Sequence, residues 1–217
     1  MATRQLLTEL GEQFESESGL HVKLESVGGV DAAKRVRAGE AFDVVVLAAN
    51  VIDALIDEGR LDGVRVDVVT SPVAMAVRAG MKHPDVSSAD AVRSAVLAAG
   101  HIGYSTGPSG THLAGLFKGW GIADAVNDRI VVAPPGVPVA SLVARGEIDL
   151  GFQQLSELAE TPGIEVIGML PPEIQSLTTF SGGVARSSDK ADSARRLLAF
   201  LASPGVADVK RRLYFNS

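Results

Sequence analysis

Leu6, Leu7, Leu10 and Phe14 recur at the spacing of one helical face, and Gly19 follows where such a helix would stop. The next stretch, "LHVKLESV" (20–27), sets Leu20, Val22 and Leu24 at alternate positions, the period of a half-buried strand. Gly28 and Gly29 turn the chain into a short helix over 31–38. "FDVVVLA" (42–48) is an unbroken apolar run, which suits a parallel strand covered on both faces. A helix over 50–58 ends at Gly59.

Beyond it, "VRVDVVTSPVAMAVRAG" (64–80) predicts a long extended segment with Ser71-Pro72 in its middle. A helix over "VSSADAVRSAVLAAG", a strand end at "HIGYS", and a further helix opened by "YSTGPSGTHLAGLF" (104–117) follow. "RIVVAP" (129–134), a helix over 138–144 and "IDLGFQQ" (148–154) repeat the alternation. "TTFSGGVAR" (178–186) is a second long extended piece, and Ala194, Leu197, Leu198 and Leu201 line a terminal helix. Helix and strand alternate, so the expected fold class is α/β with parallel crossover units. The two extended segments bracket one complete unit, 70–181, and the flanks 1–69 and 182–217 together make the other. The expected molecule is two lobes joined by two crossing strands that act as a hinge. Its ligand cleft lies between them, beyond the carboxyl ends of the strands.

Composition narrows the chemistry. The chain has 217 residues, 46% of them hydrophobic and 21% charged, which supports a sizeable core. A net charge of −6 argues against nucleic acid as a partner, since the general field of the protein repels phosphates. An anion would have to be held locally, by amides and hydroxyls. With no cysteine there are no disulfides, thiolate metal sites or cysteine nucleophile. His21, His83 and His101 are scattered without ligand spacing, so no metal and no other cofactor is expected. No run of 18 apolar residues exists, so direct membrane insertion is not expected. "MATRQLLTELGEQF" lacks the layout of a secretory signal. The expected location is periplasmic or extracellular if a leader has been removed, and cytoplasmic otherwise.

The candidate site rests on helix starts, whose first amides have no partner within the helix and carry roughly half a positive charge between them. In "STGPSGT", Ser105, Thr106, Ser109 and Thr111 add hydroxyls, and Gly107 and Gly110 let a ligand approach closely. The plainer alternative is a capped helix with Ser109 as its N-cap. Gly28 to Asp31 and Gly136 to Pro138, with Val137, are further helix starts that follow strands, although Asp31 would occupy the positive end of the first. Gln153 and Gln154 end an apolar strand; neighbours on a strand face opposite sides, so one of them is the expected ligand contact. His112, in the first turn of its helix, is the candidate base for an enzyme. Lys34 and Arg35 read as the solvated face of a short helix. Neither a G-x-S-x-G elbow nor a G-x-x-x-x-G-K-S/T loop is present, which disfavours a serine hydrolase and a nucleotide hydrolase.

Four stretches, "LLTELGEQFESESGLHVKLESVGG", "GEAFDVVVLAANVIDALIDEGRL", "GPSGTHLAGLF" and "LVARGEIDLGFQQLSEL", resemble the type 2 periplasmic-binding-protein fold. Within it they resemble the molybdate-binding-protein family of solute-binding proteins, over nearly the whole chain. The resemblance implies a first strand that carries a hydroxyl into the cleft. Here the sequence starts where that strand would end, so a missing or curtailed first strand is expected, with Thr3 and Arg4 as the candidates for its ligand-facing role. Oxyanion binders of that family offer serine where this chain has Gly28, Gly29 and Val30, and tyrosine where it has Gln154. Both departures turn the expectation from molybdate or tungstate toward carboxylates, which glutamine amides suit. "STGPSG", "GFQQLSEL" and "LPPEIQSLTTFSGG" are similar to a branch of the family that includes aconitate isomerase.

The resemblance therefore implies a solute-binding protein of an ABC-type uptake system, with a small di- or tricarboxylate as ligand and a transporter membrane subunit as partner. The alternative is a cofactor-independent isomerase that shifts the double bond of an unsaturated tricarboxylate. A ligand-sensing domain of a transcription regulator shares the fold but needs a DNA-binding segment, which this sequence lacks.

Overall fold

The computed structural model describes residues 2–134 and 136–216. The chain divides into two compact units, residues 1–71 with 178–217 and residues 72–177.

In the first unit, helix α1 (Arg4–Ser18) buries Leu6, Leu10 and Phe14, the stripe that its sequence spacing marks. Gly19 stops it at φ 72°, a left-handed conformation that glycine adopts without strain. Helix α2 (Gly29–Arg37), strand β1 (Val44–Ala48) and helix α3 (Ala49–Asp57) come next. Strand β2 (Val66–Arg78) starts in this unit and crosses the division between Ser71 and Pro72.

The second unit holds helix α4 (Ala89–Ala98), strand β3 (Ile102–Ser105), helices α5 (Pro108–Gly119) and α6 (Ala123–Val126) and strand β4 (Ile130–Ala133). Helix α7 (Val139–Ala144), strand β5 (Leu150–Gln154), helix α8 (Leu155–Leu158) and strand β6 (Ile164–Met169) follow in that unit. Strand β7 (Leu177–Val184) carries the chain back into the first unit, which closes with helices α9 (Ala191–Leu201) and α10 (Ala207–Arg212).

β1 pairs antiparallel with β7, and β7 neighbours β2. Beneath α1, α9 and α10, Leu6, Leu10, Val68, Phe180, Val184, Leu198 and Leu213 form the core of this unit. Lys210 is buried among them and donates from Nζ to the Val68 carbonyl at 2.8 Å. Burial pushes its pKa down, because the charged form loses water. Thr70 and Asn216 exchange two main-chain bonds, which fixes the end of the chain to β2.

In the second unit β5 and β6 pair antiparallel with β2, whereas β3 runs parallel to both β5 and β4. Met75, Val96, Ile102, Leu113, Phe117 and Phe152 fill the core on one face of this sheet. α7 closes the other face, and a side chain on Gly151 would begin 2.5 Å from Val143 Cγ2, so only glycine allows that approach.

One expected strand is absent. Residues 19–28 form no helix, strand or turn, despite the alternation at Leu20, Val22 and Leu24. A strand needs a neighbour to bond with, and among the described residues the main-chain groups of residues 23–27 have no hydrogen-bond partner. Nor does any strand precede α1 among the described residues. No helix among them is long and apolar enough to cross a membrane.

In the second unit one side chain substitutes for several ladder bonds. Gln175 Oε1 accepts from the amides of Val73 and Ser176, each at 2.9 Å. Its Nε2 donates to the carbonyls of Leu170 at 3.0 Å and Val73 at 3.1 Å. Gln175→Ala leaves the Ser176 amide and the Leu170 carbonyl without that partner, while the Val73 amide and carbonyl keep their bonds to the Ser176 carbonyl and the Leu170 amide, and should lower stability by about 1–2 kcal/mol in urea unfolding. A loss below about 0.5 kcal/mol would mean that water replaces the glutamine.

Candidate functional site

Because β5, β3 and β4 are parallel neighbours, their carboxyl ends share one edge of the second unit. The chain leaves each of them into a helix: β5 into α8, β3 into α5 and β4 into α7. Ser105, Thr106, Ser109, Gly110, Thr111, Val137, Gln153 and Gln154 all belong to these three exits. Thr3, Arg4, Gly28 and Gly29 belong to the first unit, at the starts of α1 and α2.

The start of α5 is open. Its N-cap is Gly107, not Ser109, because the fixed φ of Pro108 suits the first helical position and starts the helix two residues earlier. Pro108 has no N–H to satisfy. The Ser105 hydroxyl accepts from the Gly107 amide at 3.2 Å and keeps its own proton to donate. Thr111 closes the turn, its amide and hydroxyl both donating to the Gly107 carbonyl at 3.1 and 3.3 Å. Between these, the amides of Ser109 and Gly110 have no main-chain partner among the described residues. Ser109 is only 2% exposed. A side chain on Gly110 would begin 1.7 Å from the Ser105 carbonyl oxygen, so glycine is what lets the helix start press against the end of β3. Two amides at the positive end of a 12-residue helix are donors that can hold a negative group.

The start of α7 is closed. Gln153 Oε1 accepts from the Val139 amide at 3.1 Å, in a buried position. The other end of Gln153 bonds the Glu157 carboxyl, whose pKa burial pushes upward while that bond opposes it. Gln153, expected as a ligand contact, thus ties the starts of α7 and α8 together inside the unit. Gln154 lies opposite Val73 on β2 and is buried to the same degree. Val137 is partly buried, and its amide donates to the Pro134 carbonyl. Ser156, which the sequence reading passed over, has a buried hydroxyl without a partner at this same edge. Its only sequence signal is its place two residues beyond Gln154.

His112 is partly buried, and its Nε2 lies 2.8 Å from the Ile174 carbonyl oxygen. A carbonyl can only accept, so Nε2 carries the proton and the neutral ring keeps its lone pair on Nδ1. In the first unit Thr3 is buried and its carbonyl accepts from the Leu7 amide. Arg4 is exposed, and its carbonyl accepts from the Thr8 hydroxyl. Asp31 stands in the first turn of α2, with Oδ2 3.7 Å from where a side chain on Gly28 would begin. That carboxylate offsets the positive end at Gly28 and Gly29. Arg35 is committed to Glu25 and Glu40, at 2.8 and 2.7 Å. His21, His83 and His101 each pair with one surface carboxylate.

Against known proteins, the model of the bacterial extracellular solute-binding protein family matches residues 1–216. An aconitate isomerase from a Pseudomonas species is 35% identical over 208 residues, covering 93% of this chain and 79% of that protein. The periplasmic molybdate-binding protein of Azotobacter vinelandii superposes with a TM-score of 0.80 at 18% identity, over 100% of this chain and 96% of that one. A tungstate ABC transporter structure from Geobacter sulfurreducens gives 0.72 at 18% identity, over 93% and 89%. The fold is the α/β fold of type 2 periplasmic binding proteins, and the chain belongs to the bacterial extracellular solute-binding protein family.

Proposed function

We propose that this solute-binding protein holds a small organic anion, a di- or tricarboxylate, with one carboxylate seated on the start of α5. The observation that carries the reading is the pair of Ser109 and Gly110 amides without main-chain partners among the described residues. Neutral donors to a charged group contribute roughly 1.5–3 kcal/mol each. The unpaired hydroxyl of Ser156 supports a second polar contact at the same edge. The 35% identical relative is named for aconitate, a tricarboxylate, and that favours carboxylates over metal oxyanions. In this reading the protein delivers its ligand to the membrane subunit of an ABC-type uptake system.

A second reading is an isomerase that moves a proton between allylic carbons of such a ligand. The same relative favours it, and His112, with Nδ1 as its lone-pair nitrogen, is the group that would take the proton.

Thermal unfolding with citrate, cis-aconitate, trans-aconitate and molybdate tests the ligand class. A carboxylate at 100 times its dissociation constant should add about 2.7 kcal/mol of stability, and molybdate should add none. Stabilisation by molybdate alone contradicts the reading. Ser109→Ala should weaken carboxylate binding about tenfold or more, because it removes a hydroxyl donor beside the two open amides. Incubation of the bound acid in heavy water separates the two activities. A receptor leaves its proton spectrum unchanged, whereas an isomerase exchanges the allylic proton or yields a new alkene signal.

A further inference from the structure

In the first unit two arginines are held face to face. Leu61 and Ala185 form an antiparallel bridge, so Arg60 stands directly opposite Arg186. Two main-chain bonds fix this register: the Arg186 amide donates to the Arg60 carbonyl at 3.0 Å, and the Asp62 amide to the Val184 carbonyl at 2.8 Å. Directly opposed residues project from the same face with their β-carbons about 4.5–5.5 Å apart, and two like charges so placed repel. Both arginines line one pocket of about 300 Å³, between the ends of α2 and α3 and the turn after β7. Val36, Phe42 and Ala185 supply its apolar wall, and Ser187 stands beside Arg186.

The neighbouring carboxylates are committed elsewhere. Glu40 pairs with Arg35 at 2.7 Å, Glu58 with Arg37 at 2.8 Å and Asp62 with Arg195 at 2.7 Å. Glu58 also feels the charge of Arg60, but its hydrogen bond from Arg37 is the larger cause of its lowered pKa. Neither the Arg60 nor the Arg186 guanidinium has a hydrogen bond or an ion pair among the described residues. The carbonyl ends of α2 and α3 attract cations, each with roughly half a charge. That accounts for one guanidinium at the pocket, and not for two in direct opposition.

We propose that Arg60 and Arg186 form a second anion site, which takes the phosphate group of a small phosphate monoester. Each guanidinium presents a planar fork of N–H donors that fits two oxygens. A carboxylate has only enough oxygens for one fork. The phosphate of a monoester has a third terminal oxygen and a charge of about −1.5 to −2 at pH 7, so one group bridges both forks and relieves their repulsion. The Ser187 hydroxyl is a further donor at the rim. The pocket has room for about ten waters, more than a phosphate alone fills. The remaining space, against Val36, Phe42 and Ala185, holds the apolar body of the ester. This site shares no residue with the α5 seat of the second unit.

Isothermal titration calorimetry of the full chain with phenyl phosphate, inorganic phosphate and benzoate tests the assignment. Phenyl phosphate should bind saturably, and about tenfold more tightly than either of the other two. Arg60→Gln and Arg186→Gln should each weaken that binding about tenfold or more. Each should leave the ligand-free melting temperature at or above that of the parent protein, because it removes one of two opposed like charges. Arg186→Lys keeps the charge but loses the fork, and should also weaken binding. Saturating trans-aconitate should leave the affinity for phenyl phosphate unchanged. Absence of saturable binding, unchanged affinity in both glutamine variants, or benzoate binding as tightly as phenyl phosphate overturns the proposal. So does displacement of phenyl phosphate by trans-aconitate, which would put it on the start of α5.

Discussion

The account depends on a geometric constraint of parallel strands. Neighbours that run the same way end at the same edge, so every helix that follows them begins there and brings its unbonded amides with it. In the second unit β5, β3 and β4 meet this condition, and α8, α5 and α7 all begin at that edge. What distinguishes the three starts is how far the chain satisfies its own donors. Gln153 closes the start of α7 from within, by a buried bond to the Val139 amide. At α5 the donors stay open, because Pro108 has none and Gly110 leaves no side chain to intervene.

The same logic, in a sheet rather than a helix, governs the first unit. Alternating Leu20, Val22 and Leu24 carry the pattern of a strand, but a strand is a pairing and these residues have nothing to pair with. Among the described residues, β1 pairs with β7 along one edge and with no strand along the other.

Much of this was legible in the residues. The apolar runs at 42–48 and 148–154 became β1 and β5, but β1, expected as a parallel strand, pairs antiparallel with β7, because apolar content marks a strand without fixing the direction of its neighbour. The glycine- and serine-rich stretch after Tyr104 became the start of α5. What could not be read was which polar groups find partners inside the protein. Gln153 and Ser109 look alike as candidate donors along the chain. The first is tied to Val139 across 14 residues, whereas the Ser109 amide has no main-chain partner among the described residues, a difference that depends on how α7 returns over the sheet. The cap of α5 was displaced for a local reason, Pro108 favouring the first helical position over Ser109. Ser156 carried no signal because a lone serine inside a short helix is ordinary in any sequence.

The most direct test of the central claim is a titration of the ¹⁵N-labelled protein with trans-aconitate, followed at each amide by nuclear magnetic resonance. The Ser109 and Gly110 resonances should show the largest shifts and saturate with the ligand. Saturable binding that leaves both amides unmoved would place the negative charge elsewhere and contradict the account.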